Sequence, residues 1–247
     1  MKIEVSPSAG FCPGVKKAVE TAARLNSARQ IHFGPIVHNE EVVREFQERG
    51  VRIVEDLAYI EPGSTVVIRA HGISPKIRRA LEGRAVDLVD CTCPFVDRIH
   101  QLAKEARARG DGVLIIGNPH HPEIIGILGE VDGEAVVLND PSTAEETLDR
   151  ELSAGAEERI YSVLLQTTLD AEQKEKILEI IRKKIAKVNI FDTICNTTIV
   201  RQSEARQLAE KSDIVLVLGS ATSANTMKLY DIASEICREV YLIQRPD

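Results

Sequence analysis

The sequence predicts an α/β protein made of three related units, and three observations carry that expectation. One pattern recurs: an apolar strand, a short polar turn, a cysteine, and a helical segment. It is fullest at residues 86–100 (VDLVDCTCPFVDRIH) and returns at 2–15 (KIEVSPSAGFCPGV) and 188–201 (VNIFDTICNTTIVR), so Cys12, Cys93 and Cys195 hold equivalent places. Each cysteine segment is followed by an apolar strand ending in glycine, at Gly34, Gly117 and Gly219. His38, His121 and Ser223 stand four residues beyond those glycines, and Glu40, Glu123 and Asn225 two residues further on. A repeat on the order of 100 residues with matched landmarks is the mark of duplicated α/β units.

Taken in order, residues 2–5 read as the strand that leads into Cys12. Pro13 opens a helix running to about 28, with Val15, Ala18, Val19, Ala22 and Ala23 at helical spacing. A buried strand at 31–33 precedes a helix whose inner face is Val42, Val43 and Phe46, closed at Arg49-Gly50. A strand at 65–69 runs into His71, and Ser74 caps a helix through Arg79. His71 is thereby set at the carboxyl end of a strand, where open parallel sheets place their crevices.

The second unit has a helix from Cys93 to about Arg109, a strand at 113–116, a helix after Glu123 and a strand at 135–138. A polar helix near 143–150 follows, then a strand at 159–165 that delivers Gln166-Thr167-Thr168, and a charged amphipathic helix at 170–185. The third unit has a helix from Cys195 through Lys211, a strand at 214–219, a helix from Asn225 to Cys237 and a strand at 239–243. The units divide at 14–92, 93–191 and 192–247 together with 1–13. No Gly/Ser-rich or Pro-rich linker separates them, so they should pack directly on one another.

At 247 residues and 43% hydrophobic, the chain can bury substantial cores. A net charge of −7 disfavours nucleic-acid partners, and 4% aromatic residues with no Trp remove the stacking platforms that single strands require. No apolar run reaches membrane-spanning length and the start lacks a signal-peptide core, which points to a cytoplasmic protein. Five cysteines are an odd number in a chain that does not need a disulfide framework, so reduced thiols with a metal or catalytic task are expected.

Each repeated cysteine falls where a strand hands over to a helix N-terminus, a position that favours thiolate. Three thiolates fill three corners of a tetrahedral zinc or of a [4Fe-4S] cluster and leave one metal position open. Cys91 and Cys237 fall outside the repeat and read as buried, inert thiols. His38, His71 and His121 follow strand ends, and Thr167, Ser223 and Asn225 complete a ring of donors with little fixed positive charge, suited to an anion. Glu123 is a candidate proton donor, because a carboxyl in a dry pocket has its pKa raised. His32 and His100 read as structural, and His120 is ambiguous beside His121.

The motifs Phe11-Cys12-Pro13-Gly14-Val15, Gly34-Pro35-Ile36-Val37-His38-Asn39, Arg69-Ala70-His71-Gly72, Thr92-Cys93-Pro94, His121-Pro122-Glu123, Gln166-Thr167-Thr168-Leu169, Ile194-Cys195 and the loop from Gly219 to Asn225 together resemble the 4-hydroxy-3-methylbut-2-enyl diphosphate reductases. These are the terminal iron-sulfur enzymes of the non-mevalonate isoprenoid pathway. The resemblance spans nearly the whole chain in order. It implies a three-lobed fold around a central [4Fe-4S] cluster held by Cys12, Cys93 and Cys195. It also implies a substrate diphosphate held by His38, His71, His121, Ser223 and Asn225, with Thr167 near the substrate hydroxyl and Glu123 delivering protons. Ala224, within the same substrate loop, stands where many members carry a second serine, which removes one hydroxyl donor.

The implied reaction removes the allylic hydroxyl reductively, giving isopentenyl and dimethylallyl diphosphate. Electrons would come from ferredoxin or flavodoxin, since no G-x-G-x-x-G nicotinamide fingerprint is present. Two other classes compete: a zinc-dependent hydrolase of a phosphorylated small molecule with Glu123 as base, and a non-enzymatic iron-sulfur redox sensor. Counting the spacing of His71 and Thr167 forward from Ser223 lands beyond Asp247, so a third unit lacking a strand and one open sheet edge are expected.

Overall fold

The computed structural model describes residues 1–25, 28–152 and 159–245. Its strands pair in parallel and form three separate sheets. In the first, β1 (Gln30–Phe33), β2 (Arg52–Val54), β3 (Thr65–Ile68) and β4 (Asp87–Asp90) lie in the order β2-β1-β3-β4, with helices α1 (Pro13–Arg24), α2 (Glu40–Glu48) and α3 (Pro75–Glu82). The second repeats that order as β6-β5-β7-β8, from β5 (Gly112–Ile116), β6 (Ala135–Leu138), β7 (Tyr161–Leu165) and β8 (Val188–Phe191). Its helices are α4 (Pro94–Arg109), α5 (Pro122–Leu128), α6 (Pro141–Glu151) and α7 (Ala171–Lys184). The third sheet pairs β9 (Ile214–Leu218) with β10 (Glu239–Ile243), beside α8 (Asn196–Lys211) and α9 (Ala224–Ser234).

The continuous apolar runs are explained by helices on both faces of the first two sheets. On β5, Leu114 and Ile116 enter one core with Val163 and Leu165 of β7, while Val113 and Ile115 enter the opposite core with Leu164. On β3, Val67 faces one side and Val66 and Ile68 the other. Every residue of β1 and β5 is buried as a result. The third sheet has no such cover: β9 is equally apolar, yet Ile214, Leu216 and Leu218 are exposed. Among the described residues this sheet has two strands only.

The N-terminal strand expected at residues 2–5 does not form. A strand needs a neighbour to take its ladder hydrogen bonds, and among the described residues none lies beside this segment. Ile3 and Val5 are exposed, and the arm is held along α8 by polar contacts instead. Glu4 pairs with Lys211, the Ser6 and Ser8 hydroxyls donate to Glu204, and Arg201 donates to the carbonyls of Ser8 (3.1 Å) and Gly10 (2.5 Å).

Other departures are smaller. The first helix ends at Arg24 rather than 28, and residues 26 and 27 lie outside the described residues. The helix after Ser74 continues to Glu82, and α9 stops at Ser234, before Cys237. The short edge strand β2 has no counterpart in the expectation, because three residues are too few to show a period.

His32 shows how dry the first sheet is. It is fully buried, its ring meets Phe46 edge-on at 4.7 Å, and Gln30 Nε2 lies 2.9 Å from its Nε2. Burial lowers its pKa from 6.5 to about 4. Because the folded pKa lies below the unfolded one, the neutral ring stabilises fully above pH 6.5, and that contribution is lost as pH falls through about 4. The loss amounts to about 3 kcal/mol for this one group. Denaturant unfolding of His32→Phe should therefore show a shallower loss of stability than the wild type between pH 6.5 and 4; parallel curves would contradict the assignment.

Candidate functional site: three cysteines beside a histidine cluster

Each repeated cysteine is the N-cap of its helix: Cys12 of α1, Cys93 of α4 and Cys195 of α8. Proline at the first helical position in α1 and α4 pre-sets the turn without wasting a donor. The Val15 N–H donates to Cys12 Sγ at 3.4 Å, and the Phe95 and Val96 amides act on Cys93, so helix donors face these two sulfurs. Convergence is visible in Cys93, whose pKa is raised by burial first, against the pull of those amides, and further by the charges of Cys12 and Cys195. Gly14 completes the cradle: a Cβ there would lie 2.6 Å from Cys93 Sγ.

Sulfur spacing discriminates between metals. Among the described residues, the only three metal-ligating groups whose atoms all lie within 4.8 Å of one another are His38, His71 and His121. The three sulfurs are more widely spread. A single tetrahedral zinc at a Zn–S distance of about 2.3 Å would need its sulfurs roughly 3.8 Å apart. Cys91 and Cys237 are buried elsewhere, Cys91 with a pKa pushed up to about 11 chiefly by burial.

The histidines come from three different strand ends. Their ring centroids are separated by 4.3 Å (His38–His71), 5.4 Å (His38–His121) and 5.3 Å (His71–His121). Burial holds all three below the usual imidazole range, to about 4 for His121 and well down for His71, where the neighbouring His38, His121 and Arg69 add to the effect. They are neutral at pH 7. His38 Nε2 and His71 Nδ1 are buried without a hydrogen-bond partner among the described residues, an arrangement that a bound ligand would repair. His121 caps α5, its Nδ1 accepting from the Glu123 N–H at 3.2 Å. That bond assigns the ring proton to Nε2, leaving a neutral N–H donor on the other side.

Glu123 is 1% exposed, and its pKa is raised by burial although Thr167 works the other way. The Thr167 N–H donates to one carboxylate oxygen at 2.8 Å and its hydroxyl to the other at 2.7 Å. Backbone hydrogen bonds weld the two groups of residues together. The Cys93 N–H donates to the Ala70 carbonyl at 2.9 Å, next to His71, and the Cys195 N–H to the Thr167 carbonyl at 3.0 Å.

Ser223 caps α9, accepting from the Thr226 N–H at 3.3 Å, so Ala224 and Asn225 open that helix. Ala224 lines a cleft with Asn118, Gln166 and Thr168, and Lys228 pairs with Asp170 at 3.4 Å, which brings α9 against the carboxyl end of the second sheet. Among the described residues, neither Ser223 nor Asn225 hydrogen-bonds to the histidine cluster. His100 is structural, its Nδ1 lying 2.9 Å from Glu130. The expectation of little fixed positive charge is corrected: the Arg69 guanidinium acts on all three histidines. Its place two residues before His71 was the only hint the sequence offered.

Fold and site together define a parallel α/β protein with three cysteines at helix N-caps, and with three imidazoles and a buried carboxyl beyond the carboxyl ends of its strands. The LytB protein family matches residues 3–247, and the chain belongs to that family. It is 36% identical to the 4-hydroxy-3-methylbut-2-enyl diphosphate reductase of Caldanaerobacter subterraneus, over all of this chain and 85% of that protein. It is 34% identical to the reductase of Nitratiruptor, over 99% of this chain and 85% of the relative. Two solved structures are similar. A (E)-4-hydroxy-3-methyl-but-2-enyl diphosphate reductase, the terminal enzyme of the non-mevalonate pathway, superposes with a TM-score of 0.71 at 31% identity, over 98% of this chain and 85% of that one. The E-1-hydroxy-2-methyl-but-2-enyl-4-diphosphate reductase of Plasmodium falciparum gives 0.86 at 25% identity, over 95% and 74%.

Thr167→Val keeps the backbone donor to Glu123 but removes the hydroxyl. It should lower stability by about 1–3 kcal/mol and raise the Glu123 pKa further. Denaturant unfolding and the infrared carboxyl stretch measure the two effects; an unchanged stretch would show that the hydroxyl does not set the protonation of Glu123.

Proposed function

We propose that the chain reduces 4-hydroxy-3-methylbut-2-enyl diphosphate to isopentenyl and dimethylallyl diphosphate. The observation that carries the reading is the joining of the cysteine turns to the histidine and Glu123–Thr167 groups by the Cys93 and Cys195 amides. Family membership and the names of the relatives support the same reaction.

The residues fit a [4Fe-4S] cluster. Three cysteines cap helix N-termini, their sulfurs are spread too widely for one zinc, and Gly14 leaves space beside Cys93 that a methyl group would fill. The sulfur spacing counts against the zinc hydrolase, and the unpartnered histidine nitrogens count against a sensor without a ligand. When bound by Cys12, Cys93 and Cys195, such a cluster supplies Lewis acidity at an iron without a protein ligand and the route for electrons.

The remaining chemistry belongs to the chain's own groups. Overall, one C–O bond breaks, two electrons and two protons are taken up, one C–H bond forms and the oxygen leaves as water. His38, His71 and His121 bind the diphosphate with Ser223 and Asn225 from α9, and Ala224 offers no hydroxyl there. The neutral Nε2–H of His121 donates without needing a proton from solvent. Thr167 orients Glu123 and meets the substrate hydroxyl, and Glu123 releases the proton that lets the oxygen depart, a task its raised pKa suits. The proton form is lost as pH rises, so turnover should fall on the alkaline side. The electron donor is a ferredoxin or flavodoxin. The same reading divides the chain at 14–92, 93–191 and 192–247 with 1–13 as three lobes around the cluster, and places it in the cytoplasm; no helix among the described residues is long and apolar enough to cross a membrane.

Two expectations test the proposal. Cys12→Ser, Cys93→Ser and Cys195→Ser should each lose bound iron and sulfide, whereas Cys91→Ser and Cys237→Ser should keep them. Iron retained in the Cys93 variant would refute the ligand set. Glu123→Gln should keep iron and diphosphate binding yet lose turnover by on the order of a hundredfold or more. Near-normal single-turnover product formation with a pre-reduced centre would remove Glu123 from proton delivery.

A further inference from the structure

We propose that Arg69 supplies the fixed positive charge of the anion pocket. Arg69 follows β3 directly and stands two residues before His71. Its side chain lies against Gly34, the glycine that ends β1 four residues before His38. Gly34 has φ +76°, and a Cβ there would come within 2.5 Å of Arg69 Nη1 and 3.1 Å of its Cδ. The glycine thus makes room for the guanidinium across the carboxyl ends of two adjacent strands.

What the guanidinium lacks is a partner. Its Nε is buried without a hydrogen bond, and among the described residues no carboxylate pairs with it. A half-buried guanidinium left unpaired costs stability, and a fold retains such a group where a ligand completes it. Glu55 is the acidic group that acts on Arg69, through space and without forming an ion pair. It follows β2, whose Val54 carbonyl accepts the Gly34 N–H at 2.7 Å, and it is exposed to solvent. On the other side, the field of Arg69 reaches His38, His71 and His121 and helps hold them neutral.

The consequence is a division of labour. Neutral imidazoles give directional hydrogen bonds to phosphate oxygens, and one permanent cation balances part of the diphosphate charge without depending on pH in the neutral range. This rests on the reading of the histidine cluster as a diphosphate pocket, and the probe separates the two claims. Inorganic pyrophosphate is titrated calorimetrically into the cluster-loaded wild type and into Arg69→Gln, Arg69→Lys and Glu55→Gln variants, at two salt concentrations.

Arg69→Gln should bind at least tenfold more weakly and with a shallower salt dependence, while Arg69→Lys, which keeps the charge, should stay within about threefold of wild type. Glu55→Gln changes only an exposed side chain and should tighten binding about threefold by removing the competing charge. That arm decides the matter if the Gln variant fails to fold. Binding in Arg69→Gln within twofold of wild type, equal loss in the Lys and Gln variants, or no change in Glu55→Gln would each overturn the role of Arg69. Absence of pyrophosphate binding in the wild type would overturn the pocket itself.

Discussion

Two backbone hydrogen bonds tie two of the three cysteine turns to the polar residues beside them. The amides of Cys93 and Cys195 donate to the carbonyls of Ala70 and Thr167, each lying in the loop that follows the central partner strand of a sheet. Each bond fixes a cysteine at a helix N-cap and, in the same stroke, the polar residue beside that carbonyl: His71 in one unit, Thr167 in the other. The cysteine turns and the polar residues after β3 and β7 are thereby held at a fixed spacing by main chain, which does not depend on side-chain rotamers. Cys12 has no such bond among the described residues, and its approach is set by the polar strapping of the N-terminal arm to α8 and by Gly14 against Cys93.

Electrostatics then divide the two halves. At Cys93, helix amides favour thiolate while burial and the charges of Cys12 and Cys195 disfavour it. Around the imidazoles, burial and the Arg69 charge suppress protonation. Glu123 lies where the halves meet, its pKa raised by burial and its carboxyl held by both Thr167 donors in one orientation.

Much of this was legible in the sequence because duplication multiplies weak signals. One cysteine before one helix says little, but three in matched contexts, each followed by a glycine-ended strand and a polar residue at fixed spacing, specify where a site must form. The helices and inner strands followed from apolar period and caps. What stayed hidden depends on partners that local pattern does not name. Residues 2–5 have strand composition but find no strand neighbour, and the arm is held along α8 by polar contacts. The exposure of Leu216 and Leu218 on β9 reflects missing cover, not missing hydrophobicity. Arg69 was visible as a letter, but its significance lies in having no carboxylate partner, which only the assembled structure reveals.

The central claim is that the cysteine-bound centre and the histidine pocket serve one bound molecule. Phosphorus-31 electron-nuclear double resonance on the singly reduced protein, with diphosphate bound, measures this directly. A resolved phosphorus hyperfine coupling that disappears when His38, His71 and His121 are replaced together is the result the account predicts. A paramagnetic centre with no phosphorus coupling at saturating diphosphate, or a coupling indifferent to the histidines, would contradict it.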